Sequence, residues 1–244
     1  MLRLNYKLKP LRIYQKIHQH CIHHIAIVGS GPSGFYTAKY LTEQNLDLQG
    51  EEIVVDIIEQ LPVPYGLVRY GVAPDHEDTK AVMTTFEEIA SRKNVNFFGN
   101  VKIGDDSDSD YSITELMKHY SGVILCYGAS SERKLNIPGE SEYDGIITSR
   151  NFVNWYNGHP NFVRLSENLN LKNVNDIVII GMGNVAIDCA RILSKSIQQL
   201  HTTDISDNAL NYLKHNKNKK LNISIVARRS HVQVSFCRLR IVVV

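Results

Sequence analysis

Apolar and polar positions along this chain fall into two copies of one pattern. His24-Ile25-Ala26-Ile27-Val28 is a short apolar run that ends at a glycine-rich turn, which predicts a buried strand over 24–28. A helix is expected over 34–44. Ile53-Val54-Val55-Asp56-Ile57-Ile58-Glu59 then predicts a second strand, β-branched nearly throughout, as strands covered on both faces are. Strand, helix, strand in this order make a parallel crossover unit. A Pro- and Gly-punctuated loop over 61–76, a helix near 77–92, and strands over 95–103 and 122–127 follow, with the acidic, Ser-rich loop 105–110 between the strands. After Pro138-Gly139 the pattern lapses into a long stretch read as loop, unusually aromatic at Phe152, Trp155 and Tyr156. It then restarts with a strand over 176–180, a Gly-rich turn, a helix over 185–199, a polar stretch and a strand over 222–227.

The turns that open the two copies carry chemistry. Gly29-Ser30-Gly31-Pro32-Ser33-Gly34 matches G-x-G-x-x-G directly after a strand and at the start of a helix, the context that gives this pattern meaning. Gly29 allows the tight turn, Gly31 lets a pyrophosphate approach the backbone, and Gly34 lets helix and strand pack closely. Free N–H groups and a partial positive charge at the helix start favour phosphates. Glu59, closing the second strand, is placed to accept the hydroxyls of an adenosine ribose and to repel a 2′-phosphate, so this site suits FAD or NAD.

The second turn, Gly181-Met182-Gly183-Asn184-Val185-Ala186, has Ala in place of the third glycine, which still packs at slightly greater separation. The strand that follows ends in Arg228-Arg229 where an acid would otherwise stand. A guanidinium grips a 2′-phosphate through paired hydrogen bonds, so this site points to NADP. The distance from Gly183 to Arg228 requires an insertion near 196–220.

Composition adds limits. The net charge is +2, and residues 1–24 hold Arg3, Lys7, Lys9, Arg12 and Lys16 with no acid, which leaves the rest slightly acidic. That balance argues against nucleic-acid binding. The basic, acid-free start resembles a mitochondrial presequence, though it is poor in Ser. No run approaches the length of a transmembrane helix. The cysteines Cys21, Cys126, Cys189 and Cys237 form no Cys-x-x-Cys pair, so neither a redox dithiol nor a zinc knuckle is signalled. No metal site is expected.

Several blocks resemble the mitochondrial NADPH:adrenodoxin (ferredoxin) oxidoreductase family: Val63-Pro64-Tyr65-Gly66-Leu67-Val68-Arg69-Tyr70-Gly71-Val72-Ala73-Pro74-Asp75-His76, Phe98-Gly99-Asn100-Val101, Tyr127-Gly128-Ala129, Ile137-Pro138-Gly139-Glu140, Phe152 to Gly158, and the Gly181–Asp188 run with Arg228-Arg229. The resemblance implies an α/β fold of two Rossmann-like domains. The division expected is a presequence-like segment at 1–23, the N-terminal part of an FAD-binding domain at 24–105, and an incomplete NADP-binding domain at 106–244. It implies FAD contacts at Ser33, Glu59, Leu67 and Ile103, beside Gly29, Gly31 and Gly34. It implies NADP contacts at Met182, Gly183, Asn184, Val185, Arg228 and Arg229, beside Gly181; Met182 stands where the family has Gln. The implied activity is transfer of electrons from NADPH through FAD to an adrenodoxin-type [2Fe-2S] ferredoxin in the mitochondrial matrix, at most peripheral to the inner membrane. Cofactors carry that chemistry, and no side-chain nucleophile is required. His76, in the flavin-side loop, is the one candidate to steady a proton or a domain contact.

The family pattern stops after Phe236, where Cys237-Arg238-Leu239-Arg240-Ile241-Val242-Val243-Val244 replaces it. Such a chain is expected to leave the second sheet half-built, with an apolar edge and face exposed. A non-catalytic fragment of such a reductase is therefore the competing expectation. A flavin monooxygenase or glutamate-synthase-type subunit also pairs two fingerprints, but the 63–76 loop argues against both.

Overall fold

A computed structural model of the chain describes residues 22–43, 52–129, 135–140, 142–217 and 221–227. In chain order the elements are β1 (Ile22–Val28), α1 (Pro32–Glu43), β2 (Glu52–Glu59), α2 (Gly66–Tyr70), α3 (Glu77–Lys80), α4 (Val82–Ala90), β3 (Val95–Gly99), α5 (Ile113–His119), β4 (Gly122–Leu125), α6 (Ser149–Tyr156), α7 (Leu165–Asn168), β5 (Asp176–Ile180), α8 (Asn184–Ser194), α9 (Ile197–His201), α10 (Asp207–Asn216) and β6 (Asn222–Val226). They form two compact units, one within Met1–Arg69 and Ala81–Ser130, the other within Tyr70–Lys80 and Ser131–Val244.

The first unit is a parallel sheet in the order β3-β2-β1-β4. The chain steps outward from β1 to β3 on one side, then returns to place β4 on the other side of β1. That reversal opens a crevice at the carboxyl ends of β1 and β4, where open α/β sheets bind ligands. Pro32 starts α1 with its fixed φ already suited to a helix. Gly34, Phe35 and Ala38 face the sheet, and Phe35 stacks on Phe86 of α4 at 5.0 Å. Asp56, in the middle of the apolar β2, is buried but satisfied: Asn96 Nδ2 donates at 2.8 Å and the Tyr120 hydroxyl at 2.9 Å. Because Asp56 sits opposite Asn96 in the ladder, a slip of one residue would leave the carboxylate buried without partners.

The second unit packs α6, α8 and α10 around Trp155, Tyr156, Ile192, Leu200 and Leu213. Its sheet, among the described residues, is the parallel pair β5-β6. Ile177, Ile179 and Ile223 point into the core. On the other face Val178, Ile180 and Val226 are 61%, 64% and 52% exposed. Among the described residues this face of the sheet is apolar and exposed.

The elements differ from the sequence expectation in several places. The domain boundary expected at 105/106 is displaced, because β4 pairs with β1 and so returns to the first sheet. The helix near 77–92 is two helices, and they belong to different units. The strand over 95–103 stops at Gly99, where Asn100 turns the chain at φ 60°. The helix over 185–199 ends at Ser194, and Ser196 opens α9 with a capping box closed by Gln199. The aromatic stretch read as loop contains α6, capped by Thr148, whose hydroxyl accepts from the Asn151 N–H. The insertion near 196–220 is largely helical, as α9 and α10.

Candidate functional site

In the first unit the glycine turn follows β1 directly. Gly29 has φ 107°, and a Cβ there would lie 2.5 Å from the Cys126 carbonyl oxygen, so only glycine fits. A Cβ on Gly34 would lie 2.1 Å from the Gly29 carbonyl oxygen, which is the close helix–strand contact the motif requires. A Cβ on Gly31 would meet nothing within 4 Å. The space beside Gly31 is therefore open, as the approach of a pyrophosphate demands. Ser33 is exposed in the first turn of α1, whose N–H groups have no intrahelical acceptors.

Glu59 reaches this turn through Ser30. The Ser30 N–H and hydroxyl donate to Glu59 Oε2 at 3.0 and 2.6 Å, and the Leu61 N–H donates to Oε1 at 3.1 Å. A carboxylate has about four acceptor directions. Three of them are used by protein donors, which leaves one acceptor direction open, on Oε1. The same bonds hold the carboxylate in place before any ligand arrives. Ser30, fully buried, fixes the Glu59 carboxylate, a contact that the glycine pattern alone did not mark.

The loop after β2 folds back on the turn. The Tyr65 N–H donates to the Ser30 carbonyl at 2.9 Å, and Gly66 approaches Gly31 so closely that a Cβ would stand 3.1 Å from its Cα. Tyr65 adopts φ 91°, a conformation rare for a residue with a side chain, and is held there by packing on Phe35 and Phe86 at 5.3 and 5.8 Å. The Arg69 guanidinium lies over the Tyr65 ring at 5.2 Å, and Arg69 Nε donates to the Pro64 carbonyl at 3.0 Å. Leu67, beside Gly66, is 67% exposed, an apolar side chain free to meet a ligand ring. Ile103 lies beyond β3, bridged to Tyr111 and packed against the cluster of Ala26, Val28 and Ile58.

In the second unit Gly181 has φ 120° and its N–H donates to the Val226 carbonyl at 2.8 Å, which ties the turn to the end of β6. Gly183 precedes α8 in extended backbone, and Asn184 and Val185 are exposed in the first helical turn, with Met182 half-buried. A Cβ at Gly181 or Gly183 would meet nothing within 4 Å. Ala186 is buried against the unit's interior, as the third position of the motif should be. Arg228 and Arg229 lie outside the described residues.

Asp75 and His76 belong by sequence to the flavin-side loop but fold into the second unit. Asp75, 8% exposed, accepts from Arg191 Nε at 3.2 Å and from Arg191 Nη2 and Lys195 Nζ in closer contacts. Burial works against its ionised form, yet Lys195 and Arg191, which donate to it, hold its carboxyl below the usual carboxylate range. The His76 carbonyl accepts the N–H groups of Thr79 and Lys80. Lys80 is buried, and its ammonium donates to Asp204 at 2.7 Å and to Asn157 Oδ1 at 3.3 Å. Residues 70–80 are thus a strap that a polar network fastens to α8 and to the 157 and 204 turns.

Asp75→Asn removes the charge that both cations share and is expected to cost about 2 kcal/mol near pH 7, less than a fully buried pair because the cations are partly exposed. The folded pKa lies below the unfolded one. This stabilisation is therefore full above the unfolded value of about 4 and is lost as pH falls through the folded one. Urea melts of both forms, from about pH 7 down to about pH 3, should show the difference shrinking. A pH-independent difference would remove Asp75's charge as the cause.

The model for the pyridine nucleotide-disulphide oxidoreductase family matches residues 23–236. The chain is 46% identical over 212 residues to the mitochondrial NADPH:adrenodoxin oxidoreductase of Arabidopsis thaliana, covering 87% of this chain and 41% of that one. It is 43% identical to the NADPH-ferredoxin reductase FprA of Mycobacterium leprae, covering 91% of this chain and 46% of the relative. The solved structure of Mycobacterium tuberculosis FprA in complex with NADPH superposes with a TM-score of 0.78 at 43% identity, over 86% of this chain and 44% of that chain. The chain therefore spans less than half the length of these relatives. With its two glycine turns each set between a parallel strand and a helix, and matched over nearly its whole described length, the chain belongs to the pyridine nucleotide-disulphide oxidoreductase family.

Proposed function

We propose that this chain carries the dinucleotide sites of a reductase that takes electrons from NADPH through FAD to an adrenodoxin-type [2Fe-2S] ferredoxin. The observation that carries the reading is the first glycine turn, with open space at Gly31, Glu59 fixed by Ser30, and the Tyr65-Gly66 loop folded over it. Gly29, Gly31, Ser33, Gly34, Glu59, Leu67 and Ile103 are assigned to FAD. Gly181, Met182, Gly183, Asn184 and Val185 are assigned to NADP, with Arg228 and Arg229 on the 2′-phosphate. FAD, when bound, supplies the conversion of a hydride's electron pair into single electrons. The chain's own residues bind and orient: backbone N–H groups face phosphate, Glu59 accepts from ribose, and Leu67 offers an apolar surface. His76 is assigned a supporting role in the second unit, beside Asp188.

The likeness to relatives named mitochondrial supports a matrix location. Mycobacterial relatives are about as similar, so the address rests mainly on the basic, acid-free N-terminal segment. No helix among the described residues is long and apolar enough to cross a membrane.

A second reading has its own observation, the bare face of Val178, Ile180 and Val226. On that reading the 244-residue polypeptide is a non-catalytic fragment. The polypeptide by itself is expected to retain FAD poorly and not to turn over. The check is flavin absorbance per purified polypeptide together with NADPH oxidation in the presence of a [2Fe-2S] ferredoxin. Stoichiometric flavin with turnover sinks the fragment reading. Neither flavin nor turnover leaves the reductase reading to a longer chain.

A further inference from the structure

The second fingerprint sits at the start of a helix whose next turn carries a partly enclosed carboxylate. Asp188 is 15% exposed and lies on α8, four residues beyond Asn184. Among the described residues its one hydrogen-bond donor is Arg191 Nη1, at 2.7 Å. The rest of that guanidinium is committed to Asp75, which also takes Lys195. The two cations therefore serve Asp75 first and leave Asp188 underpaired.

The other groups around Asp188 do not make up the difference. From the strap come Asp75, a like charge, and the imidazole of His76. From α6 comes Tyr156, fully buried, whose hydroxyl has no hydrogen-bond partner among the described residues. From α8 itself come Arg191, Lys195 and the buried Cys189, whose thiol burial pushes up to about 12 and so keeps neutral. The elements of the sheet bring only Ile177, Ile179 and Ile223 to the core that α8 helps to build. Burial raises the Asp188 carboxyl above the usual carboxylate range, with Arg191 and His76 opposing.

We propose that occupation of the second fingerprint by a dinucleotide pyrophosphate drives net proton uptake from solvent onto the Asp188 carboxylate. This rests on the assignment of NADP to that turn. The physical cause is charge. Phosphates bound at the exposed N–H groups of Asn184 and Val185 stand on the order of 10 Å from Asp188, at about 1.5 Å of helix rise per residue. At an effective dielectric of about 20, each negative charge at that distance raises the proton affinity of the carboxylate roughly tenfold. Against this Asp188 has, among the described residues, a single donor, Nη1 of the Arg191 guanidinium that it shares with Asp75. By linkage, the Asp188 contribution tightens NADP binding as pH falls through the Asp188 midpoint.

The experiment is titration calorimetry of the chain with NADP+, at several pH values from about 4 to about 7, in two buffers of contrasting ionisation enthalpy, on the wild type and on Asp188→Asn. The expected result is a buffer-dependent heat reporting net uptake in the wild type that exceeds that of the variant. The 2′-phosphate ionises identically in both and cancels in the comparison. Because the variant can fail to fold, a second measurement uses the wild type alone. The 13C carboxyl resonance of Asp188 is followed against pH with and without NADP+, and its midpoint is expected to rise by about one unit or more. Binding with equal proton counts and an unmoved midpoint overturns the proposal while leaving the NADP assignment standing. No binding heat at all removes the NADP site from this chain, and the proposal with it.

Discussion

Gly34→Ala is expected to abolish the native packing of the first unit, while Gly31→Ala, three residues away, leaves the fold intact and removes the dinucleotide. The added methyl at Gly34 would sit 2.1 Å from the Gly29 carbonyl oxygen, a backbone atom that cannot rotate away. Either α1 lifts from the sheet or the turn opens. Both disturb Phe35 and Ala38, which are fully buried, and the expected cost is at least about 3 kcal/mol. At Gly31 the methyl meets nothing within 4 Å, so stability changes by less than about 1 kcal/mol. The methyl then occupies the space a pyrophosphate needs, and FAD affinity is expected to fall about 100-fold or more. Circular dichroism melts and a flavin titration on both variants check this. A folded, flavin-binding Gly34→Ala protein contradicts the close-contact geometry. Unchanged flavin affinity in Gly31→Ala contradicts the placement of FAD at this turn.

Trp155→Ala is expected to have the second large effect, on the other unit. Trp155 is 1% exposed, stacks on Phe152 at 5.5 Å, meets Tyr212 edge-on at 5.6 Å, and donates its indole N–H to Ser166 Oγ at 2.8 Å. Its removal leaves a cavity at the centre of α6, α8 and α10 and should cost about 3–5 kcal/mol. Since marginal domains have only about 5–15 kcal/mol in total, much of the unit's stability goes with it. Trp155→Phe keeps the ring stacking and loses the hydrogen bond, so it should cost clearly less. Urea melts followed by far-UV circular dichroism measure both, because Trp155 is the only tryptophan and its fluorescence disappears with it. Equal costs for the two variants would place the stabilisation in the indole N–H rather than in packing.

Much of the site was legible because its requirements are local. A turn that brings backbone to phosphate needs glycine at fixed spacings, so Gly29, Gly31 and Gly34 could be read as a group with separate roles, and the structure gives each the space its role needs. Glu59 was legible as the acid closing β2, but its number of free acceptors was not. That depends on Ser30, which lies 29 residues earlier and meets it only when β1 and β2 pair. Tyr65 was quoted as part of a motif, yet its positive φ and its bond to the Ser30 carbonyl had no local signal beyond the glycine after it. The helix α6 was missed for a different reason. Its aromatic residues look like loop in a stretch bounded by Pro and Gly, and only the core they fill reveals the helical face.

The sequence by itself determined that this protein has two parallel strand–helix units opened by glycine turns, because backbone sterics and the two-residue and 3.6-residue periods are encoded within a few neighbours. It also marked Glu59 as the acid that closes the second strand. The tertiary structure alone decided which sheet β4 joins, since strand pairing is a contact between distant segments and carries no residue code of its own. It likewise decided that residues 70–80 leave their neighbours in sequence and fold with the second unit, where Lys80 meets Asp204 across 124 positions and Asp75 meets Arg191 across 116. Charged pairs of that separation meet only after packing has brought distant segments together, so their partners are fixed by packing rather than by pattern.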